Sequence, residues 1–164
     1  PLLPQLRAYH EAGVQVDLLL GAKSKDLMIL QEEFEEICEH IYRTSDDGSV
    51  GKKGFVTDYL EEVLEREDYD HAIVIGPLIM MKYVSKSLLD AGIDTAVSLN
   101  PIMIDGTGMC GNCRVLIEDK TYFACIDGPD FPAKGIDFDL LMARQGYYDK
   151  EERLCKIGRG YDEK

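Results

Sequence analysis

The feature that most constrains the fold of this chain is an alternation over its first hundred residues. Short apolar segments at 14–20, 38–43, 72–75 and 95–99 read as strands, each closed by a glycine or a polar turn. Between and before them, segments 2–13, 27–37, 55–65 and 80–91 carry apolar residues at helical spacing. Gly13 and Gly92 stand where the first and last of these helices would stop, and Ser24 or Asp26 can cap the second. Strands separated by helices of such length predict an α/β fold, a parallel sheet with helices on both faces. The run Ala72-Ile73-Val74-Ile75 agrees, because a strand covered on both faces need not alternate. Met80 and Met81 read as helix core rather than ligand contacts.

In open parallel sheets ligands bind outside the carboxyl ends of the strands. Three loops follow strands here: Gly21-Ala22-Lys23, Ser45-Asp46-Asp47-Gly48 and Gly76-Pro77. They define an expected cleft along one edge of the sheet.

The character changes after Asn100, and the chain divides into an α/β part at 1–100, a cysteine-bearing part at 101–148 and a polar, loosely held tail at 149–164. Segments 114–118 and 121–125 alternate as a hairpin around Asp119-Lys120, segment 128–135 reads as a loop with two prolines, and 138–144 as a short helix.

Five cysteines are an odd number, and three crowd between positions 110 and 125. A disulfide framework is normally even and dispersed, so the crowding predicts a metal site in a reducing compartment, the cytoplasm. Cys110-Gly111-Asn112-Cys113 sets two thiols on one tight turn, Gly106 and Gly108 let the backbone wrap closely, and Cys125 closes the site from the hairpin's second strand. Three thiolates need a fourth ligand. Asp105 stands where the plant-type C-x4-C-x2-C pattern has its first cysteine, which favours an iron–sulfur cluster of the [2Fe–2S] type on Asp105, Cys110, Cys113 and Cys125. The competing reading is a zinc knuckle that staples the hairpin of a nucleotide-binding structural or sensing module. It wants a second Cys or His pair, and no histidine follows His71. Cys38 reads as core, and Cys155 has no partner nearby in sequence.

Net charge is −13, so nucleic acid and anionic membranes are poor partners. No apolar run is long enough to span a bilayer, and the start shows no secretory leader. His10, His40 and His71 sit in no acid/base or nucleophile constellation.

The segments Met109-Cys110-Gly111-Asn112-Cys113-Arg114 and Phe123-Ala124-Cys125-Ile126-Asp127-Gly128-Pro129-Asp130-Phe131, followed by Ile136-Asp137-Phe138, resemble one family. It is the iron–sulfur flavoprotein subunit of NADH-dependent ferredoxin:NADP oxidoreductase and sulfide dehydrogenase, related to the electron-transfer subunit of dihydroorotate dehydrogenase, in the ferredoxin reductase-like superfamily. The likeness extends upstream through Gly21–Leu27, Asp46–Ser49 and Gly76–Met81. It implies an FAD-binding barrel, an NAD(P)-binding α/β domain and a C-terminal [2Fe–2S] domain, in some members held by one aspartate and three cysteines. Pro1-Leu2-Leu3-Pro4 resembles the end of the glycine-rich loop after the first strand, so a fragment lacking the FAD barrel and that strand is expected, inactive by itself. By the same resemblance Gly21, Ala22 and Lys23 face the nucleotide, Gly76 and Pro77 approach the nicotinamide, and Ser45, Asp46, Asp47 and Gly48 lie by the adenosine ribose. Carboxylates there favour NAD(H) over NADP(H), against the pull of Lys23, Lys52 and Lys53. The implied activity is NAD(P)H-linked electron transfer through FAD and the cluster to the catalytic partner subunit of a flavoprotein heterodimer, with ferredoxin as a further partner.

Overall fold

A computed structural model describes residues 1–158. Helix α1 (Leu2–Glu11) leads into strand β1 (Asp17–Ala22), a 3-10 turn at Lys25–Leu27, the short helix α2 (Gln31–Glu35) and strand β2 (His40–Ser45). A two-residue strand β3 (Lys52–Lys53), α3 (Val56–Leu64), β4 (His71–Ile75), α4 (Leu78–Asp90) and β5 (Asp94–Ser98) complete the α/β part. The hairpin β6 (Arg114–Ile117) and β7 (Lys120–Phe123), the strand β8 (Asp130–Pro132) and helices α5 (Phe138–Gln145) and α6 (Asp149–Gly158) follow.

β1 and β2 pair in parallel from Asp17 opposite His40 to Ala22 opposite Ser45, and β4 and β5 in parallel from His71 opposite Asp94. The ladders form two three-stranded sheets, β1-β2-β3 and β4-β5-β8. β1 and β4 therefore each keep one edge without a ladder partner among the described residues.

Successive residues of β1 serve opposite faces, as a pleated strand requires. Leu18 and Leu20 pack with Leu6 of α1 and Phe34 of α2, while Leu19 joins the larger core of Leu60, Met81, Val84 and Leu88 from α3 and α4. Ala8 and Tyr9 of α1 stand over Ile73 and Ala96 across a cavity of about 480 Å³. Helices thus cover both faces, as the alternation predicts. The core does not break at residue 100: Val97 and Leu99 share it with Val115, Ala124, Phe131, Phe138 and Leu141. This continuity seats the cysteine hairpin firmly on the sheet.

Several boundaries differ from the sequence reading. The helix expected at 27–37 shrinks to α2, because Leu30 adopts the left-handed conformation (φ 58°) and interrupts it. The expected loop at 128–135 contains β8, which pairs antiparallel with the edge of β5. The hairpin turns at Glu118-Asp119, one residue earlier than expected, with Glu118 at φ 53°. The tail at 149–158 is helical in α6 and its side chains from Asp149 to Cys155 are exposed; residues 159–164 lie outside the described residues.

Gly51 shows how tightly the loop between β2 and β3 is drawn. It sits at φ 63°, and a Cβ there would lie 1.9 Å from the Arg43 carbonyl oxygen. Gly51→Ala must strain the backbone and push β2 aside, costing about 3 kcal/mol. A urea titration should show the midpoint fall accordingly; an unchanged midpoint would mean the loop yields freely.

Candidate functional site

Two of the three expected loops meet. At the carboxyl ends of β1 and β2, the Asp46 N–H donates to the Ala22 carbonyl and the Asp47 N–H to the Lys23 carbonyl, both at 3.2 Å. The Lys25 N–H donates to Ser49 Oγ at 2.8 Å, so the segments 21–25 and 45–49 form one ledge. Within it Asp46, Asp47, Gly48, Gly21 and Lys23 are exposed and Ala22 is half-buried. Asp47 accepts from both the N–H and the hydroxyl of Ser49, at 2.9 and 2.6 Å. The Ser49 hydroxyl foremost, then the Ser49 N–H, holds the Asp47 carboxyl below the usual range, so it is ionised at neutral pH. Ser45 is fully buried, and its hydroxyl exchanges hydrogen bonds with the backbone of Val50; it braces the ledge from within. Gly21 has a packing reason as well: a Cβ there would come within 2.5 Å of Val56 Cγ2.

Gly76 and Pro77 stand at the carboxyl end of β4 in the other sheet, where Pro77 opens α4 and a Cβ on Gly76 would meet the Met80 side chain at 2.7 Å. Met81 is completely buried and Met80 packs against the same core. His10, His40 and His71 are exposed. His40 and His71 bond Asp17 and Asp94 at the amino ends of the strands, opposite the ledge.

The cysteine segment folds as a loop laid against the end of the hairpin. Cys113 is buried, Cys125 half-buried and Cys110 exposed. The neighbouring Cys113 thiol foremost pushes the Cys125 pKa up, burial adds to this, and the Gly108 backbone pulls the other way. The Asn112 N–H points at Cys110 Sγ at 3.5 Å. Asp105 accepts from the Thr107 N–H at 2.9 Å and from the Cys110 N–H at 3.1 Å, and these bonds, the Thr107 one foremost, hold its carboxyl below the ordinary range. The charge of Asp105 also reaches Cys125. Met103, Ile104, Met109 and Ile126 surround the loop with exposed apolar side chains.

Among the described residues no three His, Cys, Asp or Glu side chains converge closely enough to hold a single metal ion. The candidate donors are three soft thiols on one loop and the hairpin end, the donor type that iron–sulfur clusters take, and the Asn112 N–H points at one of the sulfurs. Cys38 packs beside Leu18 and Phe34, where burial and then the Asp17 charge raise its thiol pKa and keep it protonated. Cys155 is exposed on α6.

Two arginines escaped the sequence reading. Arg114 donates through Nε to the Gly111 carbonyl at 3.1 Å, and Arg144 of α5 donates through Nη2 to the Asn112 carbonyl at 2.9 Å. Arg144 lies 32 residues along the chain from its partner, and no local pattern marks it.

Comparison with known proteins agrees with this geometry. The oxidoreductase NAD-binding domain family matches residues 2–86, and the iron–sulfur cluster binding domain of dihydroorotate dehydrogenase B matches residues 100–137. An uncharacterized protein in the adh 3′ region of Clostridium beijerinckii is 47% identical over 96% of this chain and 54% of its own length. The dihydroorotate dehydrogenase B (NAD(+)) electron transfer subunit homolog of Thermotoga maritima is 42% identical over 93% of this chain and 54% of its own length. A solved structure of an NADH-dependent reduced ferredoxin-NADP oxidoreductase, described for flavin-based electron bifurcation, superposes with a TM-score of 0.84 at 42% identity, covering 93% of this chain and 55% of that one. The chain spans about half the length of the curated relatives it matches. None of these likenesses supports the zinc-stapled module, and no helix among the described residues is long and apolar enough to cross a membrane. The chain belongs to the oxidoreductase NAD-binding domain family and joins to that domain an iron–sulfur cluster binding domain of the dihydroorotate dehydrogenase B type.

Proposed function

We propose that this chain is the NADH-facing and cluster-bearing part of a cytoplasmic NAD(H)-linked flavoprotein subunit, which moves electrons between NADH, an FAD carried elsewhere in the full-length protein and a partner subunit. The observation that supports the reading is the cysteine loop, which gathers Cys110, Cys113 and Asp105 beside the hairpin end that carries Cys125 and turns the Asn112 N–H toward the Cys110 sulfur at 3.5 Å. Cys110, Cys113 and Cys125, with Asp105 as fourth ligand, would hold a [2Fe–2S] group. When bound, that group supplies one-electron storage between a hydride carrier and the partner. The exposed apolar side chains Met103, Ile104, Met109 and Ile126 give the partner a surface from which water is excluded. The division at residue 100 then separates two roles, with the ledge and Gly76-Pro77 taking the nucleotide and 101–148 taking the cluster.

Asp46 and Asp47 set the choice of nucleotide in this reading. Both are exposed on the ledge, and Asp47 is held ionised, so they can accept from ribose hydroxyls and repel a 2′-phosphate. In the full-length protein, Asp46→Ala with Asp47→Ala should weaken NADH binding about tenfold and narrow its advantage over NADPH. Unchanged KM values for both nucleotides would remove these residues from the site. The reading as a whole is tested by adding NADH to anaerobic full-length protein. Bleaching of a red-brown absorption supports it, and a colourless, zinc-loaded protein that does not respond overturns it.

A further inference from the structure

The two arginines beside the cysteine loop act on the turn between the first two thiols. Gly111 and Asn112 are the residues that separate Cys110 from Cys113, and each has its carbonyl bonded by a guanidinium: Gly111 by Arg114 at 3.1 Å, Asn112 by Arg144 at 2.9 Å. Asn112 Nδ2 further ties the turn to the Ile102 carbonyl at 2.8 Å. In a trans peptide the C=O and N–H point in opposite directions. A carbonyl drawn outward to an arginine therefore turns the N–H of the same peptide unit inward. The Asn112 N–H shows this: it shares a peptide unit with the Gly111 carbonyl and points at Cys110 Sγ. The Cys113 N–H shares one with the Asn112 carbonyl and is turned away from Arg144 in the same manner.

Among the described residues neither arginine has an acidic partner. In a chain with 31 acidic and 18 basic residues, no ion pair among the described residues includes Arg114 or Arg144. Both line one cavity of about 220 Å³, with Pro101, Leu141 and Gln145. No carboxylate among the described residues pairs with either charge next to the thiol turn, where Arg144 is partly shielded from water.

We infer that Arg114 and Arg144 are positioning residues for the cluster, which hold the two peptide planes of the Cys110–Cys113 turn with their N–H groups toward the sulfurs and raise the reduction potential by their charge. The inference rests on the proposed cluster at these cysteines. A cluster gains negative charge when it takes an electron, so both the fixed N–H dipoles and the nearby guanidinium favour the reduced form.

The test uses full-length protein purified without oxygen, with two readouts: the midpoint potential followed by electron paramagnetic resonance, and the rate of iron loss to a chelator. Arg144→Gln should lower the potential and speed iron loss about tenfold, the effect of one charge-assisted hydrogen bond. Arg144→Lys keeps the charge but not the planar fork, so it should speed iron loss while lowering the potential less. Arg114→Gln, at an exposed residue, carries the same readouts if Arg144→Gln fails to fold by circular dichroism. Folded glutamine variants with wild-type potential and iron retention would overturn the positioning role and leave the cluster reading standing. Wild-type protein without acid-labile sulfide would overturn both.

Discussion

Replacing Cys113 with serine should strip the cluster from the full-length protein, with iron and acid-labile sulfide falling from about two of each per chain to near zero. Cys113 is the deepest of the three thiols, at 2% exposure, and it is the foremost influence on the raised pKa of Cys125. The raised pKa of Cys125 keeps its thiol protonated in the metal-free chain, and metal binding displaces that proton because iron takes thiolates. A serine hydroxyl is harder and does not ionise near neutral pH, so it restores neither the charge nor the softness that iron requires. Cys38→Ser is the matched control. Its thiol belongs to the separate core of Leu6, Leu18 and Phe34 and stays protonated, so iron content should not change. A Cys113→Ser protein that keeps its full iron and sulfide would end the assignment of this loop as the cluster site.

The sequence exposes what is local and periodic. The four main strands were legible because apolar runs in a sheet covered on both faces have few alternatives, and their boundaries moved by at most three residues. β8 was not legible, because a three-residue strand that follows Pro129 and ends in Pro132 carries no period; Pro132 is tolerated there because β8 lies at the sheet edge. β3, only two residues long, gave no signal either. The break at Leu30 contradicts the propensity of leucine for helix, and tertiary packing decides it. At the site, the cysteine spacing and the loops after strands could be read directly. Ser45 could not be told from its exposed neighbours, because the bonds between its hydroxyl and Val50 depend on how the loop closes. Arg144 was invisible for a related reason: its bond to Asn112 exists only once α5 packs beside the cysteine turn.

Asp105→Ala should make the cluster labile, while Cys155→Ser should leave its absorption and paramagnetic spectra unchanged. Asp105 sits five residues before Cys110, and the structure gives its carboxylate two bonds, to the Thr107 and Cys110 N–H groups. Those bonds close the loop that carries Cys110, and they hold the carboxyl ionised well into acid, the form a metal ligand requires. Cys155 is intrinsically the softer donor, but it lies exposed on α6, beyond the end of α5. Loop length alone separates the two candidates by about 1–2 kcal/mol, too little to decide. Spacing and geometry favour Asp105, which shares the loop of Cys110 and whose charge already reaches Cys125. The two roles of Asp105, ligand and loop brace, part company in further variants. Asp105→Asn keeps an oxygen for the Thr107 N–H but loses the negative charge and the acceptor for the Cys110 N–H, so a pure brace would be weakened by it and a ligand would be lost. Asp105→Cys supplies a thiolate in the first plant-type position and should retain the cluster with a changed paramagnetic signature. If Asp105→Ala and Asp105→Asn both hold iron as wild type does while Cys155→Ser loses it, the fourth ligand is Cys155.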